Sequence, residues 1–304
     1  MTSPRLPRRT FLATAAALPF APLMARAGAP MLGLGLPPFH RVRLGDFEVT
    51  TLLAGTATRP DPHTIFGLNV SAEAFAAVSA AAHLPTDKTQ FFFTPTVVNT
   101  GSELVLFDTG LSAEGTTAAL TAAGYTAEMI DLVVITHMHG DHIGGLMNGD
   151  APTFPNARYA TGRVEYDAWA QMGDEGFESK MRPLADRTAM IEDGFSGFAG
   201  HSAMAAFGHT PGHMAHLLES GGQTLLLAAD FANHYIWSLA HPDWEVKFDM
   251  DKAAAATTRK QLLDMMATDG IPFVGYHMPW PGIGYVERTG DRYRYAASSY
   301  QLML

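Results

Sequence analysis

A layered α/β domain, its sheets covered by helices, is the fold class that the sequence predicts. Two observations predict it. Short apolar strand-like runs and capped helix-like stretches mix along the whole chain from about residue 41. In addition, 47% hydrophobic against 16% charged residues in 304 positions supplies enough apolar surface for a sizeable core. In chain order, Phe47–Leu53 reads as a strand, and Ser71 is placed to cap a helix reaching about Ala82. Thr96–Thr100 and Glu103–Phe107 read as two strands joined across Gly101 and Ser102. Helix signals follow at Ala113–Ala123 with Gly124 as a stop, at Gly162–Gln171, and at Asp251–Thr268 with Gly270 as a stop. Further strands are expected at Leu132–Ile135, Arg158–Ala160, Met204–Phe207, Thr224–Ala228 and Ile271–Val274.

Two segments stand outside that pattern. Residues 1–27 read as an export signal: a basic stretch ending in Arg8 and Arg9, an apolar run from Phe11 to Met24, and Ala25-Arg26-Ala27 as a small-x-small cleavage site. Pro19 and Pro22 interrupt the apolar run, which is also too short to span a membrane. The stretch Pro7-Arg8-Arg9-Thr10-Phe11-Leu12 resembles a twin-arginine signal, which exports proteins already folded, so a periplasmic or secreted location is expected. Residues 28–40, rich in Gly and Pro, read as a linker or surface arm, leaving residues 41–304 as the folded domain. Loss of the four arginines of the signal lowers the formal net charge from −10 to −14. A surface that acidic repels nucleic acid and anionic membranes, so neither is expected as a partner.

With no cysteine, disulfides, thiolate zinc sites, iron–sulfur clusters and thiol nucleophiles are excluded. Any metal must sit on His and carboxylate. After the apolar run Leu132–Ile135, the segment Thr136-His137-Met138-His139-Gly140-Asp141-His142 holds four potential ligands. In an extended segment residues two apart project to the same side, so His137 and His139 can bite one cation. Gly140 lets the chain turn, and Asp141 and His142 then face a second. One segment cannot fill two coordination shells, and three further strand ends offer His209, Asp230 and His277. The turn Gly208-His209-Thr210-Pro211-Gly212-His213 contains two histidines, and spacing alone does not choose between them. The histidines at 40, 63, 83, 201, 216 and 241 stand in no ligand spacing.

Together with Phe107-Asp108-Thr109-Gly110 and Tyr276-His277-Met278-Pro279-Trp280-Pro281-Gly282, these motifs resemble the metallo-β-lactamase superfamily. Within it the chain is most similar to the branch of methyl parathion hydrolase and N-acyl-homoserine lactonases. The resemblance implies a four-layer αββα sandwich and two divalent metal ions, zinc by expectation. One ion takes His137, His139 and His209, the other takes Asp141, His142 and His277, and Asp230 bridges them. By the same resemblance Asp108 orients the site and His213 stands beside the ligands; His234, four residues after Asp230, is expected there too. Trp280 and Met138, with Trp169 a weaker third, are expected to wall an apolar pocket.

Two such dications lower the pKa of a shared water, so the implied chemistry is hydrolysis by a bridging hydroxide, with Asp141 passing its proton to the leaving group and Asp230 as the anionic bridge. Few Lys or Arg adjoin the ligand segments, so the expected substrates are small neutral esters: lactones or aryl esters first, organophosphate triesters as the alternative. A sulfur dioxygenase-like enzyme with one iron is a third reading. Zinc β-lactamases lack the bridging carboxylate, and glyoxalase II needs a longer C-terminal region than the 27 residues that follow His277. Related enzymes commonly form dimers, for which the arm at 28–40 offers a crossing segment.

Overall fold

The computed structural model describes residue 31 and residues 35–299 of a chain that divides into two compact units, Met1–Leu36 and Pro37–Leu304. The export signal lies outside the described residues, and the strands and helices of the described residues belong to the second unit. The first hairpin of that unit joins β1 (Phe39–Leu44) to β2 (Phe47–Leu52) through Gly45. Phe39 and His40 pair with Leu52 and Thr51, so the fold begins two residues inside the stretch expected to be an arm. A separate two-stranded sheet pairs β3 (Gly55–Pro60) with β4 (Lys88–Phe93), and helix α1 (Ala72–Ala81) lies between them in sequence. Ser71 caps α1 by accepting from the Ala74 amide.

Next come β5 (Thr96–Asn99), β6 (Leu104–Phe107), α2 (Ala113–Ala122), β7 (Leu132–Ile135) and the short α3 (Gly140–Ile143). After the small β8–β9 hairpin (Met147–Asn148 and Ala151–Pro152) follow β10 (Arg158–Gly162), α4 (Arg163–Met172), α5 (Glu175–Lys180) and β11 (Thr188–Ile191). The remaining elements are β12 (His201–Ala205), β13 (Met214–Ser220), β14 (Gln223–Ala229), a π-helical turn (Tyr235–Ala240), α6 (Lys252–Asp269), β15 (Phe273–Gly275), β16 (Ile283–Thr289) and β17 (Arg292–Ala297).

These strands form a seven-stranded sheet, β1-β2-β5-β6-β7-β10-β11, and a six-stranded sheet, β12 through β17 in order. Alternation along each central strand explains the layering, because successive side chains leave on opposite faces. In β7, Leu132 and Val134 join the cluster shared by both sheets, whereas Val133 and Ile135 face Leu120 of α2 and Trp169 of α4. In β14, Leu225 and Leu227 enter the shared cluster, and Leu226 and Ala228 pack against Leu262, Leu263 and Met266 of α6. Each fully buried Leu or Val contributes on the order of 1.5–3 kcal/mol, so a charge at Val134 or Leu226 would split a layer from its neighbour. The result is the expected αββα sandwich. Among the described residues no helix is long and apolar enough to cross a membrane.

Some element boundaries differ from expectation for identifiable reasons. β12 ends at Ala205, not Phe207, because the chain leaves the sheet there to form the Gly208–His213 turn. β15 starts at Phe273 because Pro272 has no amide to donate. β13, β16 and β17 were not expected; β16 and β17 carry Glu287, Arg288, Arg292 and Arg294, and that charge dilutes the apolar alternation. The pairs β6–β7 and β14–β15 run parallel, which brings the chain ends after those strands to the edges where ligands converge.

Candidate metal centre

Asp108 follows β6, His137 follows β7, Asp230 follows β14, and His277 comes two residues after β15. His139 precedes α3, whose first turn carries Asp141 and His142. His209 sits in the turn between β12 and β13, and that turn lies against the start of α6. A Cβ on Gly208 would come within 2.2 Å of the Ala255 amide nitrogen, and Gly208 has φ +123. Only glycine fits that contact. The amides of Met250 and Asp251 donate to the carbonyls of His209 and Gly208, pinning the turn to the helix start.

The side chains converge as two sets. His137, His139, His209 and Asp230 offer ligand atoms all within 4.8 Å of one another, and so do Asp141, His142 and His277. His139 Nδ1 lies 3.1 Å from His137 Nε2 and 3.0 Å from His209 Nε2. Asp230 spans both sets: Oδ1 is 3.4 Å from His142 Nε2, and Oδ2 is 3.2 Å from His277 Nε2 and 3.4 Å from His209 Nε2.

The outer nitrogens decide what the inner ones are for. His137 Nδ1 meets Thr136 Oγ1 at 3.1 Å, His142 Nδ1 donates to Asp108 at 2.8 Å, His209 Nδ1 to Asp249 at 2.8 Å, and His277 Nδ1 to the Phe92 carbonyl at 2.9 Å. Each bond turns an Nε2 lone pair inward, the arrangement that metal-ligating histidines require. His142 Nε2 and Asp230 Oδ1, both fully buried, have no hydrogen-bond partner. Two divalent cations fit this donor set.

Charge tells the same story. Burial, reinforced by His142, His139 and His209, holds His137 well below the ordinary imidazole range, and burial with His209 brings His139 down to about 3. Burial opposes protonation of His277 too, yet Asp230 and Asp141 drive it up to about 10. Against its own burial, Asp141 is drawn down to about 2 by His142 and His277. Protons on one face of the site thus balance carboxylates that cations would neutralise better.

Comparison with known proteins gives the family and the fold. The sequence profile of the metallo-beta-lactamase superfamily matches residues 94–277, which is more than half of the chain. The chain belongs to the metallo-beta-lactamase superfamily. An N-acyl homoserine lactonase of a Bacillus species is 33% identical over 101 residues, which are 33% of this chain and 38% of that protein. A beta-lactamase-like protein 2 homolog of Caenorhabditis elegans is 31% identical over 121 residues, 39% of this chain and 36% of that protein. The chain therefore matches less than half the length of these relatives. Among solved structures, AidC, a dizinc quorum-quenching lactonase in complex with a product, superposes with TM-score 0.79 at 22% identity, covering 86% of this chain and 97% of that one. The hydrolase AbOPH gives TM-score 0.81 at 23% identity, covering 88% and 99%. At these identities the two structures speak for the fold.

On this superfamily scaffold, some expected neighbours stand beside the ligands and others do not. Asp108, at φ +60, accepts from the Thr136 amide and hydroxyl as well as from His142. His213 lies behind the ligands, its Nε2 accepting from the Asp230 amide at 3.1 Å and its Nδ1 donating to the Ala206 carbonyl. His234 lines a cleft beside His277, and its Nδ1 accepts from the amides of Ile236 and Trp237, capping the π-helical turn, while its neighbour Asn233 donates to Asp230 at 2.8 Å. Trp280 is corrected. The chain bends after His277, and Trp280 lines a separate cleft with Pro37 and Phe39. Met138 alternates away from His137 and His139 into the core beneath. Trp169 alone of the three touches a ligand, edge-on to His139 at 5.7 Å.

The wall of the site comes from elsewhere. A cleft of about 290 Å³ above Asp141, Asp230 and His277 is lined by Phe91, Phe93, Leu111, Phe248 and Arg59. Phe91 and Phe93 share one face of β4 and meet the His277 ring edge-on at 5.4 and 5.6 Å. A second cleft of about 500 Å³, lined by Phe92, Lys88, Tyr235 and Trp237, reaches His277 from the other side. Arg59, remote in sequence from the ligand segments, brings a cation to the cleft that the reading of those segments did not expect. Tyr276 was also missed: it stacks on His142 at 3.9 Å and donates to the Asp141 carbonyl.

Proposed function

We propose that this chain is an exported, two-metal hydrolase of neutral esters, with lactones and aryl esters as the first substrate class and zinc as the metal. One observation carries the reading: two ligand sets, with Asp230 in one and 3.2 Å from His277 of the other, lie beneath a cleft whose walls are aromatic. The likeness to N-acyl homoserine lactonases and to the dizinc lactonase AidC supports it. When bound, divalent ions supply Lewis acidity and a water of lowered pKa.

The chain's own residues do the rest. Asp230 is 3% exposed at its side chain, whereas Asp141 is 21% exposed and opens on the cleft, so Asp141 is the carboxylate placed to take a proton from water and return it to a leaving alkoxide. Phe91, Phe93 and Phe248 offer an acyl chain or aryl ring contact area and exclude bulk water. Arg59 at the rim suits an amide oxygen, or the carboxylate that lactone opening creates.

The test is a panel on one zinc-loaded preparation: a medium-chain lactone, phenyl acetate and a dimethyl aryl phosphorothioate. Lactone or ester kcat/KM should at least equal that of the phosphorothioate. A phosphorothioate preferred by about a hundredfold or more makes phosphotriester hydrolysis the better reading. Export rests on Arg8 and Arg9; their joint replacement by Lys should hold folded enzyme in the cytoplasm, and undiminished export would sink that part.

A further inference from the structure

We propose that Glu165 is a positioning residue, a single buried carboxylate that ties together the two loops carrying His137, His139 and His209 and so sets the affinity of the metal those three hold. The inference rests on the two-metal reading above. Glu165 lies in the first turn of α4, fully buried, and its carboxylate accepts three bonds from two segments far apart in sequence. Oε1 takes the Met138 amide at 2.9 Å; Oε2 takes the Thr210 hydroxyl and the Gly212 amide, both at 2.8 Å.

Each bonded segment carries a ligand. Met138 stands between His137 and His139, and Thr210 follows His209. The fit is tight at Gly212, where a Cβ would come within 2.1 Å of the Glu165 amide nitrogen. No Lys or Arg is paired with this carboxylate among the described residues, so its charge is met by these neutral donors. A residue needed only for packing would not bring a charge into that position. The clamp is not the only tie between these segments, since the Met214 amide also joins them by donating to the Thr136 carbonyl.

The other ligand set is fixed by different partners: His142 by Asp108, His277 by the Phe92 carbonyl, and the Asp141 carbonyl by Tyr276. Glu165 touches none of them, so its loss should be felt at one metal and not the other. In Glu165→Gln the amide keeps one acceptor, and its NH₂ must face either the Met138 amide or the Thr210 and Gly212 donors, releasing one loop. Thr210→Val removes a single donor and leaves the carboxylate two amide partners.

The experiment measures stepwise zinc affinities of the full-length proteins in graded chelator buffers, with thermal melts of the metal-free forms. Glu165→Gln should weaken one zinc by about 10–100-fold and leave the other within about threefold, at a metal-free Tm close to wild type. Thr210→Val should weaken the same zinc by a smaller factor. In a His139→Ala background, where that zinc is already lost, adding Glu165→Gln should change the remaining affinity by less than about threefold. Equal weakening of both zincs alongside a lowered metal-free Tm would make Glu165 a structural residue, and unchanged affinities would remove its role altogether. If Glu165→Gln does not fold, the Thr210→Val result decides. A wild type that binds one zinc contradicts the two-metal reading instead, and the clamp is then judged by whether Glu165→Gln weakens that zinc.

Discussion

Replacing Asp230 by Asn changes one atom in a side chain that touches both ligand sets. Asp230 is 2% exposed, with Oδ1 3.4 Å from His142 Nε2 and Oδ2 3.2 Å from His277 Nε2. An amide keeps one oxygen for one set and turns an NH₂ toward the other, and it removes the negative charge shared between two like-charged ions. Taking away one partner of a buried charge pair costs roughly 3–5 kcal/mol, which is about a hundred- to several-thousand-fold in affinity for the more weakly held metal. The backbone is little affected, because the Asp230 amide still donates to His213. The assay is zinc content after dialysis against a chelator, read beside lactone turnover and a melt of the metal-free protein. Zinc and turnover should fall together, by far more than the metal-free melt changes. An Asn variant that keeps two zincs against the same chelator, with turnover within about tenfold, would refute the bridging role.

Three other outcomes are expected. His209→Ala should lose a zinc and His213→Ala should retain about two; the opposite pattern would reverse the assignment within that turn. Asp249→Asn should release His209 Nδ1 and leave Arg259, 1% exposed, without its carboxylate partner at 2.7 Å, lowering stability by roughly 3–5 kcal/mol as well as zinc content; an unchanged denaturation midpoint would contradict this. His201 is pushed down to about 4 by burial and bonded to His216 at 2.9 Å. The unfolded chain takes up its proton near pH 6.5, so this contribution is complete above that value and is lost as pH falls toward 4, by on the order of 3 kcal/mol. In the metal-free protein His201→Gln should flatten the acid side of the stability profile between pH 7 and 4, and a profile parallel to wild type would exclude it.

Ligands at strand ends were legible in the sequence because the signal is local to the chain. The apolar runs at Leu132–Ile135 and Thr224–Ala228 end at His137 and Asp230, so those ligands stood out against their surroundings. Glu165 gave no such sign, and Asp249 stood out only as part of the Phe248-Asp249-x-Asp251 stretch before the long helix, with no role attached. Each meets the ligand loops only through contacts between distant segments, and neither occupies a metal-binding spacing. Trp280 was placed by adjacency to His277, but the chain bends between them. The aromatic wall was hidden for a different reason. In a run of three phenylalanines no face is distinguished, and only the pairing of β3 with β4 shows that Phe91 and Phe93 face the site while Phe92 turns toward the second cleft. The layered α/β class was recognisable because its central strands are apolar on both faces, and the four-layer sandwich followed only from the family resemblance; the charged hairpin β16–β17 offered no comparable pattern.

The central claim, a hydrolase whose two metals share Asp230, is tested most directly by reconstitution. Metal-free protein is titrated with zinc in steps from zero to about three equivalents, and hydrolysis of a medium-chain lactone is followed at each step beside bound zinc. Activity should stay low through the first equivalent and level off at about two, in step with the second bound ion. Full activity at a single equivalent, or two zincs bound with no hydrolysis of any ester, would contradict the account.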